Sequence, residues 1–79
     1  MDRNIKLIWD FKGDEAQEIA KHHAIHIDEF ANREKIELIT SGTEPIHELH
    51  YIAYLVVREG EMIKVRDALK PHRGELYED

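Results

Sequence analysis

The residues of this sequence best suited to chemistry are histidines: His22, His23, His26, His47, His50 and His72, six in 79 residues. Imidazole ligates divalent metals, shuttles protons and changes charge near neutrality, so a concentration of it marks the first place to look for a site. Three of the six fall within Lys21-His22-His23-Ala24-Ile25-His26. On a helix, His22 and His26 stand one turn apart on the same flank. Two imidazoles so placed can hold one metal ion, and Glu18 or Glu29 could add an oxygen ligand. An HExxH protease site needs a glutamate directly after its first histidine, and this segment has His23 there instead. At about 100° per residue, His23 points along the middle of the apolar side made by Ala16, Ile19, Ala20, Ile27 and Phe30. That predicts a buried, neutral imidazole bonded to a backbone carbonyl or to Tyr51 or Tyr54, with a catalytic or ligating role as the alternative.

His47 and His50 bracket Glu48-Leu49. They share a side if this segment is a helical turn and oppose each other if it is extended. Folded back beside His22 and His26, they would complete a histidine-rich pocket with Glu48, fit for a divalent metal or for general acid-base work. Otherwise they are solvated imidazoles at a polar tip. Other catalytic templates fail: there is no GxSxG elbow, no GxxxxGK[ST] loop, no GxGxxG turn and no cysteine, and Ser41 is the one serine. Asp10, Asp14 and Glu15 form a carboxylate cluster in sequence, but a strand end followed by a helix cap accounts for them.

The elements that must position these residues follow from periodicity. Ile5, Leu7, Trp9 and Phe11 alternate with Lys6, Ile8 and Asp10, the pattern of a half-buried strand that Gly13 ends. From Asp14, a candidate cap, to about Glu34 the apolar residues recur at three- and four-residue spacing, which predicts an amphipathic helix, with Glu29 and Arg33 placed for an i,i+4 pair. Ile36 to Thr40 and Tyr51 to Val57 read as a second and a third strand. Between them Ser41-Gly42-Thr43-Glu44 resembles a capping box and Pro45 suits a first helical turn, so residues 43–50 are either a helical turn or part of a hairpin. Met62, Val65 and Leu69 suggest a second helix that Pro71 ends, in competition with a strand at 62–66. Residues 74–78 are long enough for a short edge strand or a frayed tail.

The order β-α-β-β-α, with a sixth element β in question, predicts one α+β domain over residues 1–79. Its elements follow the ferredoxin-like split β-α-β arrangement, a two-layer fold with the helices on one face of an antiparallel or mixed sheet. This is a resemblance of architecture that many unrelated functions share.

Strand three places Tyr51, Ala53, Leu55 and Val57 on one face and Ile52, Tyr54 and Val56 on the other, and strand one adds Ile8 to the second set. If the helices cover one face, Ile8, Ile52, Tyr54 and Val56 form an apolar interaction face on the other, and a homodimer packed through it is expected. The competing expectation is that the chain's own loop or tail covers this face.

Seventeen acidic against eleven basic residues give a net charge of −6, which weighs against binding a phosphate backbone. Arg58, Lys64, Arg66, Lys70 and Arg73 are interrupted by acids and read as a solvated helix surface. No apolar run reaches membrane-spanning length, and the polar start lacks a signal core, so a cytoplasmic protein with no membrane or nucleic-acid partner is expected. The sequence thus points to a small, self-associating, non-catalytic binding or interaction domain without a resident cofactor. Its partner would be a protein or a small molecule. The alternative is a histidine-lined site, formed by helix one and residues 43–50, that binds a divalent metal or performs acid-base chemistry.

Overall fold

The computed structural model describes residues 3–78 and has six elements: β1 (Asn4–Lys12), α1 (Ala16–Arg33), β2 (Leu38–His47), β3 (His50–Arg58), α2 (Glu59–Leu69) and β4 (Arg73–Tyr77). It is an α+β fold with two helices and a four-stranded antiparallel sheet in the order β2-β3-β1-β4. The alternation in β1 and β3 decides what the helices cover. Ile5, Leu7, Trp9 and Phe11 join Ala53, Leu55 and Val57 in a core with Ile27, Phe30 and Ala31 of α1, Met62, Val65 and Leu69 of α2, and Ile36. Trp9 is fixed within it by its indole N–H, which donates to the Leu69 carbonyl at 2.9 Å.

Several local expectations are corrected. Asp14 does not cap α1: Glu15 holds that position without a side-chain bond, and the Gly13 carbonyl accepts from the Ala16 N–H. Gly13 takes a left-handed φ of 114°, open to glycine, and its N–H donates to the Leu49 carbonyl at 2.8 Å, tying the end of β1 to the β2–β3 turn. Glu29 bonds His26, and Arg33 approaches Glu34 instead of Glu29.

Residues 43–47 extend β2, since Thr43 and Glu44 pair with Ala53 and Ile52 across a hairpin that turns at Glu48-Leu49. Pairing along β3 outweighs the local capping signal, and Pro45 is tolerated because β2 is an edge strand. Residues 62–66 belong to α2, and residues 73–77 form the second edge strand.

The other face of the sheet differs from expectation in exposure. Ile8, Ile52 and Val56 are only 1, 2 and 0% exposed in the single chain, so they do not form an open apolar patch. Tyr54 stands between Ile52 and Val56 on β3 and opposite Ile8 on β1. Its hydroxyl reaches over Gly42, where an added Cβ would lie 3.2 Å from it. The Lys6 ammonium sits 4.6 Å from the Tyr54 ring centre and 3.1 Å from the Glu44 carboxylate. Aromatic and long polar side chains therefore lie across the aliphatic ones. Among the described residues no helix is long and apolar enough to cross a membrane.

Candidate functional site

Helical spacing brings His22, His23 and His26 to one flank of α1, where they line a groove with Glu15, Glu18 and Ile19. Its volume of about 440 Å³ is within the range that holds small ligands. His23 is half-buried and packs against the aromatic end of β1, with ring centres 5.2 Å from Trp9 and 5.4 Å from Phe11. Neither Tyr51 nor Tyr54 bonds it. Its Nε2 is buried, and no group of the chain forms a hydrogen bond to it. Burial pushes the His23 imidazole below its ordinary range, with His26 and His72 adding repulsion, which favours the neutral ring. A neutral imidazole among aromatic rings, with one buried nitrogen unanswered, keeps a hydrogen-bonding capacity that the chain itself does not use.

His22 and His26 come together as the spacing predicts, with ring centres 5.1 Å apart. His26 Nδ1 lies 3.2 Å from the Glu29 carboxylate. His47 and His50 do not join them. His47 makes a 3.4 Å contact with the Leu49 N–H, while His50 Nε2 donates to Asp10 at 2.8 Å. The hairpin keeps these two histidines in paired strands, and among the described residues no three His, Cys, Asp or Glu side chains group to hold a metal.

A second polar cluster lies on the opposite side of β1, where Asp10 points away from Trp9 and Phe11. Its carboxylate accepts from Arg73 Nε at 3.0 Å, from Arg73 Nη2 at 3.1 Å and from His50. The Arg73 guanidinium, with His50 beside it, lowers the Asp10 carboxyl to about 2, against a smaller opposing effect of burial. The Asp10 backbone N–H donates to His72 Nδ1 at 2.8 Å, and the His72 N–H to the Ile8 carbonyl at 2.9 Å. Arg73 is thus an ion-pair partner on β4 and not part of a helix surface. Sequence reasoning missed this cluster. The signal was a carboxylate on the same alternating face as Ile8, although only pairing with β4 reveals which cation meets it.

Comparison with known proteins finds no family model, no curated protein and no solved structure that matches this chain.

Proposed function

We propose that this chain is a non-catalytic binding domain whose groove over His23 takes a small organic cation, such as an amine bearing an aromatic or branched apolar group. The observation that carries the reading is the unanswered Nε2 of His23 beside Trp9 and Phe11. A buried polar atom left unpaired costs about 1–3 kcal/mol, which a ligand's ammonium N–H recovers once the groove opens to Nε2 and the imidazole carries its proton on Nδ1. Ile19 supplies an apolar wall, and Glu15 and Glu18 favour positive charge. The strand order β2-β3-β1-β4, with both helices packed on the β1 and β3 face that holds Trp9, supports a ferredoxin-like reading of the scaffold. That scaffold does not select a function.

Titration with benzylamine, followed by amide and imidazole NMR shifts, tests the reading. Saturable shifts at His23, Trp9 and Ile19 are expected, and His23→Leu should remove them while keeping the fold. Shifts that persist in His23→Leu, or none in the parent chain, would reject it.

The second reading makes His23 a general base, a role open to an imidazole that lines the groove and makes no hydrogen bond through Nε2. Hydrolysis of an ester probe by water to its acid and alcohol, lost in His23→Leu, would select this reading over simple binding.

A further inference from the structure

His22 and His26 line the same groove as His23, but on its exposed side. Both are exposed, their rings are neighbours one helical turn apart, and Glu29 adjoins the outer member. A carboxylate only accepts hydrogen bonds, so His26 Nδ1 must carry the proton it shares with Glu29. That tautomer leaves the lone pair on Nε2, which is how a carboxylate orients a metal-binding histidine. Imidazole nitrogens favour zinc, copper and nickel over magnesium or calcium. Two imidazoles are half of a tetrahedral shell, and no third protein ligand from the described residues of the same chain is grouped with them.

We infer that a divalent transition-metal ion bridges two copies of this chain, with His22 and His26 of each copy supplying its four nitrogen ligands across a two-fold axis. The surface around the pair fits a second α1. Glu15, Ile19, His22, His26, Glu29 and Arg33 recur at alternating four- and three-residue steps and are all exposed, so they form one seam of the kind that packs helix on helix. Ile19, 46% exposed, adds its aliphatic side chain to the seam and packs along the methylenes of Glu29 of the second copy. Charge supports an antiparallel pairing. The two-fold axis that sets His22 against His26 of the second copy also sets Glu15 against Arg33 of the second copy, since both pairs are centred on Ala24. The metal's two positive charges offset repulsion between chains of net charge −6. Joined this way, the copies would close the groove over His23 from outside.

Sedimentation equilibrium of the full chain, with zinc chloride added stepwise, is the test. The expected result is monomer mass without zinc and twice that mass at one zinc per two chains. His22→Ala and His26→Ala should each abolish the doubling, and Glu29→Gln should weaken it about tenfold. His47→Ala and His23→Leu should leave it unchanged, which separates this inference from the binding role of His23. Glu15→Arg should weaken the dimer, and adding Arg33→Glu should restore it. Zinc bound at one per chain with monomer mass, no zinc binding, doubling that survives His22→Ala, or no rescue by the charge swap would overturn the inference.

Discussion

The two sides of β1 treat a polar group in opposite ways. On one side Asp10 is met by two N–H groups of Arg73 and one of His50, and its carboxyl is held in the charged form. On the other side His23 lies against Trp9 and Phe11 with Nε2 met by no group of the chain, and burial favours its neutral form. Opposite charge with complete hydrogen bonding is how a fold fastens an edge strand. Desolvation without a partner leaves a hydrogen-bonding capacity unused beneath the groove that His23 helps to line. One strand thus carries a satisfied polar group on one face and packs an unsatisfied one against the other.

The largest effect should come from testing whether the Asp10 side rests on a true core. Ile8→Ala is expected to cost about 3 kcal/mol, as for a fully buried aliphatic side chain, in urea unfolding followed by circular dichroism. A cost below about 1 kcal/mol would make that side ordinary surface. Asp10→Ala should come next, at about 2 kcal/mol, because it leaves the Arg73 guanidinium and the His50 N–H without their shared acceptor. If it costs no more than an exposed ion pair, the contrast with His23 dissolves.

The smallest effect is a pair of pH transitions that assigns one window to each side. His23 has a folded value below the ordinary imidazole value of about 6.5, so the unfolded chain binds more protons there. Its contribution is complete above that pH and is lost as pH falls from it toward the folded value. Asp10 also titrates below its ordinary range, at about 2. Its contribution is complete above the ordinary carboxylate value of about 3.9 and is lost as pH falls through the folded value. About 1 kcal/mol is expected from Asp10 once the exposure of Arg73 is allowed for. Stability measured against pH should lose the upper window in His23→Leu and the lower one in Asp10→Ala.

Much of the architecture was readable because it rests on local periodicity. Alternation at Ile5 to Phe11 and the helical spacing from Ala16 to Ala31 each have one good solution. Residues 43–50 were unreadable because Thr43, Glu44 and Pro45 carry a helix-start pattern that loses only to strand pairing with Ala53, Ile52 and Tyr51, a partner no local window contains. The same limit governed the site. The neighbourhood of His22 and His26 follows from a single helix. The separation of His50 from them depends on Asp10, forty positions away, and the failure of His23 to find a tyrosine depends on which face Tyr54 takes. Alternation places Ile8, Ile52 and Val56 on one face but does not reveal their burial, which emerges only in the folded chain, where Lys6, Glu44 and Tyr54 meet from three neighbouring strands.

Where β1 meets the start of β4, an imidazole stands in for a carbonyl: His72 receives the Asp10 amide through its ring and returns a bond to Ile8 through its backbone. A peptide oxygen in that place would belong to the main chain, whereas this acceptor is carried on a side chain. The last rung of the sheet edge can therefore be deleted by a single substitution at His72 that leaves every backbone atom in place.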